Sequence, residues 1–311
     1  MKKLHLSMEV WPNMPWGRLE IAGCAVNSWG KLSLEEIVHR VADNGYDTMD
    51  IIFAKIQEIR PEVYEETMTR FKNALNERGV KVGFIAQHST LVTPRWWERD
   101  AGVETFKKAV DVAVDLEAYT VCTLPAQGFY DPALYNLMTR KEAWDMLIDS
   151  IKEIALYAKE KNMTISIEIL QGTLINSVEA YMKMYEEVGM DNVFCTVDVG
   201  TFYTSIKPKQ PIKEAINQLG DHINCVHVKD EVGFTNIIQC QHVWYGAGFV
   251  DFKEMAEALK EINYEGVCSV EWEGWQNGGL AGVGDPGGIG LADFDMVASE
   301  AKLFLESEGW N

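Results

Sequence analysis

The chain has 311 residues, 47% of them hydrophobic, which is enough to bury a large core; a length near two average domains still suits one unit when strands and helices alternate around a barrel. Asp and Glu number 47 against 28 Lys and Arg, a formal charge of −19, and a field of that sign repels nucleic-acid phosphates and anionic lipid. No apolar run reaches the roughly 18 residues needed to span a membrane, and the first six residues are too briefly apolar before Glu9 to act as a secretory signal. No nucleic-acid or membrane partner and a cytoplasmic location are therefore expected.

Along the chain, short β-branched runs alternate with stretches whose apolar residues recur every three or four positions. The first strand falls at 3–10 or at 19–27. A helix over 33–44 opens on Ser33 and Glu36, the spacing of a capping box, and closes at Gly45. A strand at 46–53 leads to a helix at 61–78 that Gly79 terminates. Strands at 81–87, 118–124, 163–170, 192–198, 222–229 and 266–272 follow, separated by helices at 101–117, 138–161, 177–188, 211–219 and 251–262. The stretch 231–250 reads as a loop, and a last helix covers about 290–308.

Either choice of first strand brings the count to eight, each strand followed by a helix. That is the pattern of an α/β (β/α)8 TIM barrel, and the expectation is a single domain over 1–311. A doubly wound open sheet is the competitor, but no G-x-G-x-x-G turn follows an early strand. The six cysteines contain no C-x-x-C pair and lie mostly in apolar runs, so they read as buried thiols.

Alternation along the strands orients the side chains. In 163–170, Ile165, Ile167 and Ile169 share the parity of the helix-facing side, leaving Ser166 and Glu168 inward. The same reasoning turns Thr196 and Asp198 inward, then Cys225 and His227, then Ser269 and Glu271. Glu168, Asp198, His227 and Glu271 thus share inward parity near the C-terminal ends of strands five to eight. Neighbouring strands are about 4.8 Å apart, so four strand ends can surround one ion. Three carboxylates buried together repel, and a divalent cation is the natural way to keep them ionised. Three oxygen ligands and one imidazole suit Mn²⁺ first, with Mg²⁺, Co²⁺, Fe²⁺ or Zn²⁺ as alternatives. Against this stands the plainer reading of solvated acids, or acids paired with lysine, beside a hydrogen-bonded core histidine.

These segments resemble the sugar isomerase/epimerase branch of the xylose-isomerase-like barrels. The likeness is carried by Glu168 in ISIEIL, Asp198 in TVDVG, His227 in VHVKD, the GAGFVDF run at 246–252 and Glu271 in SVEWEG, with Asp50 in an early stretch where a glutamate is more usual. It implies one metal held by Glu168, Asp198, His227 and Glu271, and chemistry on a small sugar or glycoside. In such a site the metal holds adjacent substrate oxygens and favours an enediolate, while Glu168 and Glu271 take and return the proton. Relatives that epimerise ketoses or dehydrate inososes place a histidine where this chain has Thr201, which leaves substrate specificity open. Thr201 and Gln127 also stand where related DNA-cleaving enzymes need zinc-binding histidines, so DNA cleavage is rejected.

Secondary candidates for substrate binding are His88, Lys229, His242 and Trp244. Each has an alternative: packing for His88, a carboxylate partner for Lys229, and packing beneath a loop for Trp244. Glu273 is placed to orient a ligand or Lys229. The segment 274–290, GWQNGGLAGVGDPGGIG, reads as a flexible lid rather than a phosphate cradle, because no Lys or Arg accompanies its glycines. Three functions follow: a metal-dependent isomerase or epimerase; a lyase using the same proton abstraction, such as an inosose dehydratase or the catalytic subunit of a 3-oxo-C-glycoside deglycosidase; or a non-catalytic barrel subunit. A homo-oligomer is expected, or a hetero-oligomer for a deglycosidase subunit.

Overall fold

The computed structural model describes residues 5–10, 32–124, 137–170, 172–204, 210–233, 240–271 and 294–310. Eight parallel strands close into a barrel: β1 (His5–Val10), β2 (Thr48–Ile52), β3 (Lys81–Ala86), β4 (Thr120–Thr123), β5 (Ile165–Ile169), β6 (Val193–Asp198), β7 (Ile223–Val228) and, after a short antiparallel pair formed by β8 (Glu231–Gly233) and β9 (Cys240–His242), β10 (Val267–Val270). Closure runs through β1, whose His5 pairs with Val267 on one side while Ser7 pairs with Thr48 on the other. The first strand is thus the earlier of the two expected segments; 19–27 lies outside the described residues.

The helices are α1 (Leu34–Asp43), α2 (Phe53–Gln57), α3 (Tyr64–Arg78), α4 (Trp96–Asp115), α5 (Arg140–Glu160), α6 (Val178–Val188), α7 (Val199–Thr204), α8 (Ile212–Leu219), α9 (Phe252–Glu261) and α10 (Phe294–Ser307). The capping box forms as its spacing predicts: Ser33 Oγ accepts the Glu36 N–H at 3.2 Å and the Ser33 N–H donates to Glu36 Oε2 at 2.8 Å. Gly79 ends α3 in the left-handed region at φ 66°, where a side chain would be strained. The last helix is tied to the barrel's outer layer by Tyr46, whose hydroxyl donates to the Ala298 carbonyl at 2.7 Å. Just beyond it, the Trp310 indole N–H donates to the Phe252 carbonyl at 2.9 Å.

Strand parity holds where the ladder is regular. Ile165, Ile167 and Ile169 are fully buried among core residues, while the Ser166 and Thr196 hydroxyls meet inside the barrel at 2.6 Å. It lapses at register shifts, one between β2 and β3 and one between β6 and β7. Asn224 falls at a register shift between β6 and β7, with Cys195 opposite Ile223 but Thr196 opposite Cys225. The extra residue turns the Asn224 amide inward, where its oxygen accepts from Ser166 Oγ at 2.7 Å and its nitrogen donates to Thr120 Oγ1 at 3.3 Å. A hydroxyl-and-amide chain therefore crosses the barrel floor from Cys122, whose thiol is 3.2 Å from Thr196 Oγ1, through Ser166 to Asn224 and Thr120.

Candidate metal centre at the barrel mouth

Glu168 belongs to β5, Asp198 ends β6, His227 is the penultimate residue of β7, and Glu271 follows the last residue of β10. The strand that was expected to run through 272 stops at Val270, yet the Glu271 N–H still donates to the Val228 carbonyl at 2.9 Å. Tyr245 fastens the same two strand ends, its hydroxyl bonded to Val228 O at 2.9 Å and Glu271 O at 2.8 Å. All four residues are buried, none more than 3% exposed.

Glu168, Asp198 and His227 each offer a ligand atom within 4.8 Å of the others. Glu271 is tied to them through two neighbours. His227 Nδ1 lies 3.3 Å from Glu168 Oε1 and 3.4 Å from Glu271 Oε2. Lys229 Nζ lies 2.7 Å from both Asp198 Oδ2 and Glu271 Oε2. Two buried acids, Glu168 and Asp198, and the His227 imidazole form a hard, mixed oxygen–nitrogen donor set that could hold a divalent ion. The carboxylate alternative for Lys229 is thus realised in the geometry.

The acids are tuned in opposite directions. Burial pushes the Glu168 carboxyl above its ordinary value and Asp198 adds to the rise, with His227 and Lys229 opposing. Burial acts on Asp198 too, but the charges of Lys229 and His227, a hydrogen bond from Lys229 and the Thr201 N–H outweigh it and leave that carboxyl lowered. The Thr201 N–H reaches Asp198 Oδ1 at 3.0 Å, because α7 begins directly after the aspartate and turns its backbone back over it. Beneath the site, the Cys122 thiol is pushed up to about 11 by burial and borders His227, and the Phe84 ring lies 5.5 Å from the imidazole.

Of the secondary candidates, His88 accepts the Leu124 N–H on Nδ1 at 3.3 Å, linking the segments that follow β3 and β4. Trp244 is half-buried and packed against the core. The backbone of His242 pairs with Glu231 in the β8–β9 hairpin, while its side chain, like Glu273, Gln127 and the 274–290 segment, lies outside the described residues. Sequence reasoning gave no role to Asp230. Its Oδ1 accepts the N–H groups of Glu231 at 3.0 Å and Val250 at 3.2 Å, and its Oδ2 those of Gly246 and Gly248, both at 2.8 Å. A Cβ on Gly248 would collide with that carboxylate. The GAGFVDF run is therefore a loop wrapped around one buried acid. Its signal was available as an Asp next to a Lys and a later Gly-x-Gly.

Residues 38–285 match the family described as the xylose isomerase-like TIM barrel. An inosose dehydratase from Geobacillus thermodenitrificans is 25% identical over 266 residues, covering 78% of this chain and 83% of the relative. A fructoselysine 3-epimerase from Escherichia coli O157:H7 is 20% identical over 251 residues, covering 78% of this chain and 86% of the relative. Among solved structures, a D-psicose 3-epimerase with D-tagatose from Clostridium cellulolyticum H10 superposes with a TM-score of 0.72 at 16% identity, covering 98% of each chain. At that identity the likeness speaks for the fold.

Proposed function

Because the chain belongs to the xylose isomerase-like TIM barrel family, we propose that it is a one-domain sugar isomerase or epimerase that moves a proton on the carbon next to a carbonyl. Glu168, Asp198, His227 and Glu271 would hold one divalent ion, Mn²⁺ suiting the set first. The observation that carries this reading is the buried convergence of Glu168, Asp198 and His227 at adjacent strand ends, with Glu271 joined to them through His227 and Lys229. When bound, the ion supplies positive charge to the substrate's carbonyl and neighbouring hydroxyl oxygens, which lowers the cost of the enediolate left by proton removal. Glu168 and Glu271 both approach Nδ1 of His227, and in this reading one of the two carboxylates takes the proton and the other returns it. Lys229 is occupied by Asp198 and Glu271, which leaves His88 and Trp244 as the substrate contacts farther out.

A lyase is the second reading, favoured by the likeness to inosose dehydratase. Proton abstraction is the same, but a group on the next carbon then departs. The test is incubation of Mn²⁺-loaded protein in D₂O with free ketoses, an inosose and 3-oxo-glycosides. Deuterium uptake with sugar interconversion supports the first reading, and release of water or aglycone the second. Turnover unchanged in both Glu168→Gln and Glu271→Gln would contradict the acid–base assignment.

A further inference from the structure

The Lys229 ammonium is engaged before any substrate arrives. It lies 2.7 Å from Asp198 Oδ2 and 2.7 Å from Glu271 Oε2, on a side chain only 5% exposed. Burying an ammonium is costly unless charged partners surround it, and here those partners are two of the acids assigned above to the ion. An imidazole must be neutral and the carboxylates ionised to bind an ion, so in the loaded site the three carboxylates and the Lys229 ammonium around His227 would sum to −2. A divalent ion would close that balance; a trivalent ion would overshoot it next to a fixed positive charge.

We propose that Lys229 is the site's resident cation. It keeps Asp198 and Glu271 together at the mouth while no metal is bound, and it fixes the valence of the ion the site prefers. Lys229 follows the last residue of β7, two positions after His227, so its ammonium arrives among the ligands without being one of them. Lysine suits the post because it is a compact point charge on a flexible stem. This inference rests on the metal reading above for its valence arm but not for its stability arm.

The experiment uses full-length protein stripped with a chelator: wild type, Lys229→Met, and Lys229→Met combined with Glu271→Gln. Melting is followed without metal, and binding of Mn²⁺ and of Tb³⁺ by calorimetry and terbium luminescence. Lys229→Met is expected to lower the metal-free midpoint by roughly 10 °C, and the double variant, which restores the charge balance, to regain most of that loss. The ratio of Tb³⁺ to Mn²⁺ affinity should rise at least about tenfold in Lys229→Met, one unit charge removed a few ångströms from the ion, and fall back in the double variant. A double variant no more stable than Lys229→Met, or an unchanged affinity ratio in proteins that bind Mn²⁺, overturns the proposal. If Lys229→Met does not fold alone, a folded double variant supports the proposal and an unfolded one overturns it. Should none of the proteins take up Mn²⁺, the metal reading fails, and the melting comparison still decides the part played by Lys229.

Discussion

Removing the Asp230 carboxylate should destabilise the barrel mouth out of proportion to one polar residue. Its two oxygens accept four backbone N–H groups, at 2.8, 2.8, 3.0 and 3.2 Å, and the side chain is 2% exposed. A hydrogen bond to a charged acceptor contributes about 1.5–3 kcal/mol, but four bonds sharing one carboxylate do not add. The loop's outer side is open to water, with Phe249 54% exposed, so some orphaned donors would find solvent. Asp230→Ala should therefore cost about 3–5 kcal/mol, a fall of roughly 5–15 °C in melting midpoint for a chain of this size. Asp230→Asn should recover little, because its amide nitrogen would face two of the donors. Thermal melting by circular dichroism decides the matter. Either variant melting within about 2 °C of the wild type would refute the claim that this acid holds the loop.

Gly83→Ala would place a methyl against Asp50 Oδ1, Thr48 Cγ2 and Val267 Cγ1 inside the barrel, where Asp50 already accepts the Phe84 N–H at 2.9 Å. A loss of about 1–3 kcal/mol is expected from overpacking, read by denaturant unfolding. Thr196→Val keeps the shape but interrupts the floor chain between Cys122 and Ser166, which should cost about 1–3 kcal/mol in the same assay. Glu168→Gln and Glu271→Gln should each abolish turnover while leaving the far-ultraviolet spectrum unchanged, since both carboxamides fill the same volume.

The barrel was legible because each strand is a β-branched run followed by an amphipathic helix, and period-two parity named the inward residues of β5 and β6 directly. What escaped has identifiable causes. The β8–β9 hairpin has three residues per strand, too few for alternation to register, so 231–250 read as loop. Helix α4 starts at Trp96 rather than 101 because Trp96 and Trp97 point outward, 69% and 55% exposed, and break the expected apolar stripe. The shift at Asn224 inverts one residue's facing without leaving a mark in composition. The mouth was harder still. Parity indicated that Glu168, Asp198, His227 and Glu271 share a side, but not that Lys229 lies between Asp198 and Glu271. Nor did it show that Cys122 borders His227 or that Asp230 organises the loop beyond. Those contacts depend on where side-chain tips meet, which spacing along the chain does not encode.

The central claim is that one divalent ion sits at this mouth, and crystals of Mn²⁺-loaded protein test it most directly. Anomalous difference density at the manganese edge should show one peak within about 2.5 Å of oxygens from Glu168, Asp198 and Glu271 and of the His227 ring nitrogen. No peak at saturating Mn²⁺, or a peak held by other residues while Lys229 keeps its grip on Asp198 and Glu271, would contradict it.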